Sequence, residues 1–245
     1  MPLPQQNNNL IQKTLIQKTL THADYQQTHE AMLARTLERI ELKKTLNQQI
    51  TDELWIVEHN DVYTLGQAGK EEHILARGDT PIIKTDRGGQ VTWHGAGQLV
   101  LYWLFDLTAL DWKVRDLVSH AEQSIEDVVN GYLPDGLVAK ARQDAPGVYV
   151  YQEETIPKKM PEQMLGKIAS LGFKIKHGFS YHGIALNLDC DLTAFNLINP
   201  CGYAGMQMLR LADFANIDNN EVTEKLIANI SKRHAGEIGL RPSEL

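Results

Sequence analysis

The stretch from Gly166 to Gly202 constrains the fold more than any other part of the chain. It reads GKIASLGFKIKHGFSYHGIALNLDCDLTAFNLINPCG. Two runs in it, Lys167–Lys176 and Tyr181–Asp189, have the length and apolar content of strands and are joined by His-Gly-Phe-Ser. A join that short implies an antiparallel hairpin and therefore a sheet. In the second run Ile184, Leu186 and Leu188 alternate with polar or small residues, the period of a strand buried on one face. Beyond it, Asn199-Pro200-Cys201-Gly202 forms a tight turn with a thiol at its tip. Pro fixes one backbone angle and Gly frees the next, so the Cys is held by its backbone while its sulfur stays reachable.

The rest of the chain supplies more strands and a few helices. IQKTL occurs twice, at 11–15 and 16–20, too short a repeat to define a repeat architecture. Residues 1–20 read as a variable, partly disordered extension that precedes or lengthens a first strand, and 21–245 as a single catalytic domain, since no Pro/Ser/Gly-rich linker divides it. A helix is expected from Thr21, with Thr21 to Asp24 resembling a capping box and Tyr25, Met32, Leu33, Leu37 and Ile40 at helical spacing. Leu54–His59 and Val62–Leu65 read as strands around an Asn-Asp turn, and Pro81–Leu104 holds three short extended runs broken by glycines. Val114, Leu117, Val118, Ala121, Ile125, Val128 and Val129 stripe a second helix. Short strands near Leu137–Lys140 and Gly147–Tyr151, a polar loop from Gln152 to Gln163, and a helix over Glu221–Arg233 complete the order. Strands cluster without a βαβ rhythm, so the fold class is α+β, a mixed β-sheet with packed helices.

Composition narrows function by exclusion. A net charge of -7 argues against general nucleic-acid binding, which needs a basic surface. Two cysteines, Cys190 and Cys201, with no CxxC or Cys/His spacing, give neither a disulfide scaffold nor a metal site. The opening MPLPQQNNNL lacks the plan of a signal peptide, and no apolar run approaches the roughly 20 residues of a membrane span. A soluble cytoplasmic protein with reduced thiols is expected.

Three segments could carry chemistry. Arg87-Gly88-Gly89-Gln90-Val91-Thr92-Trp93-His94 and the glycines that follow let backbone approach a ligand, while Arg and His offer donors; the bland reading is a hairpin with glycine turns. No nucleotide-binding fingerprint is present. Ser170-Leu171-Gly172 and Gly183-Ile184-Ala185 put small residues on facing strands, either for close strand packing or as a slot for an unbranched chain. Lys167 reads first as a solvated charge and Cys201 first as a small buried hydrophobe. The functional alternative is that the two meet as base and nucleophile, the lysine favouring the thiolate by its charge or accepting its proton when neutral. Cys190, between Asp189 and Asp191, is structural. Lys158-Lys159, Lys174 and Lys176 are candidate docking charges for an acidic partner.

The motifs WIVEHNDVYTLGQAG, RGGQVTWHGAGQLVLYWLFDL, GVYV, GKIASLGFKIKHGFSYHGIALNLDCDL and INPCG, in that order over roughly Leu54 to Leu211, resemble the octanoyltransferase family, which moves octanoyl groups from acyl carrier protein to lipoyl domains. The resemblance implies a fold like the catalytic domain of biotin and lipoate ligases. It implies Cys201 as the acyl-thioester nucleophile, Lys167 as its partner, and substrate contacts from Arg87 to His94, Ser170 to Gly172 and Gly183 to Ala185. It also implies no cofactor beyond the phosphopantetheine of the donor, with the lipoyl domains of 2-oxoacid dehydrogenase complexes and the glycine cleavage H protein as acceptors. The chain departs from the family where Ala96 replaces a common Pro, where Trp103 stands for a frequent Pro, and at Asn60-Asp61 in place of a prolyl turn. Competing readings are an ATP-dependent lipoate or biotin ligase, a non-catalytic module that binds carrier protein, and a cysteine hydrolase.

Overall fold

The computed structural model describes residues 15–46, 50–142, 144–153, 163–200 and 205–242. Its centre is a seven-stranded sheet in the order β1 (Ile16–Ala23), β2 (Glu53–His59), β6 (Gln98–Leu104), β10 (Phe179–Asn187), β9 (Gln163–Lys176), β8 (Gly147–Gln152), β7 (Leu137–Ala141). A three-stranded sheet, β4 (Ile82–Lys84), β3 (Val62–Leu65) and β5 (Val91–His94), lies beside it. β1 runs parallel to β2 and β3 parallel to β4, whereas the other pairs are antiparallel. The α+β class with a mixed sheet therefore holds.

Helices cover both faces of the large sheet. The apolar stripes of α3 (Val114–Val129) and α4 (Asn219–Ala235) pack with Leu101, Trp103, Ile184 and Leu186 on one face. On the other face, Met32 of α1 (Tyr25–Leu46) sits among Trp55, Val100, Tyr102, Tyr181 and Ala185. A one-turn helix, α2 (Leu107–Leu110), is capped by the Asp106 carboxylate, which accepts from the N–H groups of Thr108 and Ala109. No helix among the described residues is long and apolar enough to cross a membrane.

Several boundaries differ from the sequence reading, each for a local reason. The second IQKTL copy, read as preceding or lengthening a first strand, is itself strand: Ile16 to Leu20 pair with Glu53 to Val57. The helix expected from Thr21 starts at Tyr25, because backbone pairing with β2 continues to Ala23 and Asp24 is the cap, its carboxylate accepting from Gln27 N–H at 2.8 Å. β2 and β3 do not form a hairpin; the chain changes sheet at Asn60-Asp61. The β9–β10 turn is two residues, His177-Gly178, both at positive φ (48° and 82°), the geometry whose twist matches a tight hairpin. β10 is buried on both faces rather than one, because α1 covers the side that alternation alone would leave in water. Val114, expected in the buried stripe, is 52% exposed at the start of α3. Residues 1–14 of the extension expected to be partly disordered, and most of the loop after Gln152, lie outside the described residues.

Candidate active site

β8 begins at Gly147, opposite Ser170, so past that point β9 has no strand on this edge. The glycine loop meets it instead, with Gly88 N–H donating to Phe173 O at 3.2 Å. Around this gap lies a cavity of about 430 Å³, a volume typical of small-molecule sites. Its walls are the 87–92 segment, Val100 and Tyr102 of β6, the β9–β10 hairpin, Tyr25 of α1, Val114 and Val118 of α3, and the Asp144-Ala145-Pro146 turn.

Lys167 stands on this wall and is 2% exposed. The β8–β9 register slips between Val148↔Ala169 and Tyr149↔Lys167, a bulge that lets Ile168 and Ala169 both enter the core while Lys167 faces the cavity. Its ammonium donates to Pro146 O at 2.9 Å and lies 5.1 Å from the Tyr149 ring centroid. Its backbone is fixed from outside the hairpin, where Lys167 N–H donates to Gln207 O at 2.8 Å and Leu209 N–H donates to Lys167 O at 2.9 Å. Gly147 lies so close that a Cβ there would meet Lys167 Cε at 2.4 Å.

The 87–90 loop owes its shape to Arg87. Its guanidinium donates to Gly88 O at 2.8 Å, Gln90 O at 2.7 Å, Thr64 O at 2.7 Å and the Thr64 hydroxyl. Buried carbonyls of a glycine loop need such donors, and one planar fork supplies several. Arg87 borders the cavity and also builds its wall.

Histidines and tyrosines fill the end of the cavity beneath α1. His94 Nδ1–H donates to Gln98 Oε1 at 2.7 Å; Gln98 Nε2 donates to Asn187 Oδ1 at 2.8 Å, and Asn187 Nδ2 to Leu209 O at 2.9 Å. These bonds set the Gln98 amide and thereby the tautomer, leaving His94 Nε2 as an acceptor. Burial, with His59 and Arg87 nearby, holds His94 well below the usual imidazole range and therefore neutral. A neutral ring protonated at Nδ1 presents Nε2 as an acceptor, so the N–H that the sequence offered as a donor is spent on Gln98. Next to it, the Tyr102 hydroxyl donates to His59 Nε2 at 2.7 Å, and His59 Nδ1–H donates to Ala23 O. Asp86 accepts from His182 Nε2 at 2.9 Å, from His29 Nε2 at 3.0 Å and from the Tyr181 hydroxyl. These donors, His182 foremost, hold its carboxyl well below the usual range. His29, Asp86 and His182 are also the one set among the described residues with ligand atoms close enough to share a metal ion. Ligation through His182 Nε2 would need a proton on Nδ1, which is buried with no partner among the described residues, so the set fits a hydrogen-bonded array better than a metal site.

With this geometry in view, the sequence matches the lipoyl protein ligase A/B catalytic domain family over residues 30–231. It is 60% identical to an octanoyltransferase of Psychrobacter cryohalolentis, with 94% of each chain covered, and 58% identical to one of Psychrobacter arcticus, with 96% of each covered. The chain belongs to the octanoyltransferase family. Among solved structures, the family fold is seen in a putative lipoate protein ligase of Thermoplasma acidophilum (TM-score 0.62, 14% identity, 92% of this chain and 87% of that one). Lipoate-protein ligase A bound with ATP shares it too (TM-score 0.55, 13% identity, 94% of this chain and 88% of that one).

The octanoyltransferase cavity gathers nearly all the candidates named from sequence: Arg87 to Thr92, His94, Lys167, Ser170 to Gly172 and Gly183 to Ala185 border it. Trp93 is not among the lining residues; it points the other way, edge-on to Phe195 in the core behind the small sheet. At Gly183 the small residue makes room for backbone, since a Cβ would lie 1.9 Å from Leu101 O. Cys201 lies outside the described residues. Cys190 is buried, and burial pushes its thiol up to about 12, in keeping with a structural role. Sequence reasoning missed Tyr25, Tyr102 and Pro146. Tyr25 and Tyr102 read as core residues of a helix and a strand, and nothing about Pro146 marks it as a lysine acceptor.

Proposed function

We propose that this octanoyltransferase-family chain transfers an octanoyl group from acyl carrier protein to a lysine of a lipoyl domain through a thioester on Cys201, with Lys167 as the partner of the thiol. The observation that carries the reading is Lys167: a buried ammonium, fixed by backbone on both sides, on the wall of a cavity in a chain 60% identical to an octanoyltransferase. Lysines are almost never fully buried unless they are paired. Gln207, whose carbonyl holds Lys167 N–H, belongs to the same segment as Cys201.

The chemistry balances without an external energy source. The Cys201 thiolate, favoured by the Lys167 ammonium, attacks the octanoyl carbonyl; the carbon–sulfur bond to the pantetheine breaks, and Lys167 gives its proton to that leaving thiolate and becomes a neutral amine. One thioester replaces another, so the step is close to isoenergetic. The lysine amine of the lipoyl domain then attacks, Lys167 takes its proton, and the amide forms as Cys201 leaves as thiolate. Backbone N–H groups stabilise the oxyanion in each step. The octanoyl chain lies along the cavity, each buried methylene contributing about 0.8 kcal/mol, and the cavity's end limits chain length.

Incubation with octanoyl-acyl carrier protein and a lipoyl domain, without ATP, tests the reading. Octanoylation of one lysine on the domain is expected. Modification that proceeds from free octanoate and depends on ATP would place the chain with the ligases instead.

A further inference from the structure

Lys167 is held by a peptide unit, and that unit is held in turn by a carboxylate. Lys167 Nζ donates to Pro146 O at 2.9 Å. The N–H of the same peptide bond, on Gly147, donates to Glu122 Oε1 at 3.1 Å. Glu122 lies on the α3 face turned to the sheet and is 8% exposed. An amide that accepts from an ammonium at its oxygen and donates to a carboxylate at its nitrogen is polarised in one sense by both partners, so each bond strengthens the other. A buried carboxylate needs compensating donors and a positive charge, and here they are this N–H and Lys167.

We propose that Glu122 is a positioning residue for Lys167: its negative charge, passed through the Pro146–Gly147 amide, fixes the Lys167 ammonium on the cavity wall. The proposal rests on the acyl-transfer reading for its consequence in catalysis, though the charge coupling itself does not.

The surroundings set when Glu122 is charged. Burial, aided by the charge of Glu126, pushes its carboxyl up to about 7 against the Gly147 N–H and the Lys167 charge. Glu126 is one turn further along α3, where it accepts from Ala141 N–H of β7 at 2.6 Å and from Arg241 at 2.7 Å. Tyr149 of β8 turns its hydroxyl to Ala145 O. Glu122 thus crosses from neutral to charged near neutral pH and strengthens its hold on Lys167 as it does.

The test compares wild type with Glu122→Gln, whose amide oxygen still accepts from Gly147 N–H but carries no charge. The rate of octanoyl adduct formation from octanoyl-acyl carrier protein is followed by quenched intact mass across pH. The ratio of wild-type to Glu122→Gln rates isolates the pH dependence that the Glu122 charge adds. It is expected to rise from near one at about pH 5.5 to about tenfold at about pH 8.5, with its midpoint near 7. A Glu126→Gln variant, which relieves the like charge, should move the midpoint down. A flat ratio, the result of a role in folding alone, overturns the proposal. Reductive methylation of Lys167 by formaldehyde and a borane, located by peptide mass, needs no acyl transfer. It should run faster in Glu122→Gln than in wild type at about pH 8.5, and equal rates overturn the proposal. If wild type forms no adduct while this methylation difference persists, the coupling stands and the acyl-transfer reading falls.

Discussion

Replacing Gly147 by alanine puts a methyl group where Lys167 now lies. The added Cβ would sit 2.4 Å from Lys167 Cε, 2.8 Å from Nζ and 2.7 Å from Ala169 O. The carbonyl belongs to the β9 backbone and moves only with the sheet. The lysine tail is softer, and Cε must retreat by about 1 Å to reach the 3.4 Å of ordinary contact, the difference between 3.4 and 2.4 Å. Gly147 also has φ of +141°, a region that disfavours an L side chain and adds roughly 1–3 kcal/mol of strain. Loss of the bond from Nζ to Pro146 O costs about 1.5 kcal/mol more, the lower end for a charged donor. Together these give about 2.5–4.5 kcal/mol, or a fall in melting temperature of roughly 5–18 °C for a chain of this size. Activity should fall further than stability, because a shift of about 1 Å in a reacting group can cost on the order of a hundredfold. Thermal unfolding and single-turnover transfer, measured at a temperature where the variant is fully folded, give the two quantities. A Gly147→Ala protein with wild-type melting temperature and wild-type transfer rate would refute the view that this glycine makes room for a catalytic lysine.

Other expectations follow from the buried polar array and the strand packing. His59 and His182 are pushed down to about 4, chiefly by burial, so they are neutral in the folded protein near neutral pH. The unfolded chain takes up their protons near the ordinary histidine value of about 6.5, so stability is intact above that pH and is lost as pH falls from there towards 4, by roughly 1–3 kcal/mol per histidine. Urea midpoints at about pH 7 and about pH 4.5 should differ accordingly, and equal midpoints would contradict the array. At Gly183, alanine would place its Cβ 1.9 Å from Leu101 O in a central strand, so Gly183→Ala should lose about 3 kcal/mol or fail to fold; a wild-type melting temperature would contradict the close approach of β6.

How much of this was legible in the sequence depends on which residues set each feature. The hairpin of β9 and β10, the strand β2 and the helix α3 are carried by local periodicity, and they lie where that periodicity puts them. Two-sided burial of β10 was not legible, since alternation of Ile184 and Leu186 says nothing about Met32 arriving from α1 on the opposite face. The glycine motif marked the loop, but not that Arg87 would spend its donors on Gly88, Gln90 and Thr64. The Trp93 ring turned away for a similar reason: its partner Phe195 is distant in sequence. Glu122 gave no signal, being a charged residue beside the apolar stripe of a helix. Its role arises from the Pro146–Gly147 peptide that lies between it and Lys167, a meeting of three segments far apart in the chain.

Intact mass of the purified protein after exposure to octanoyl-acyl carrier protein, with no ATP present, bears most directly on the proposed chemistry. A single octanoyl adduct, removed by hydroxylamine and absent from Cys201→Ala, is the expected result. An unmodified wild-type protein that nonetheless octanoylates a lipoyl domain, or an adduct that persists in Cys201→Ala, would contradict the Cys201 thioester.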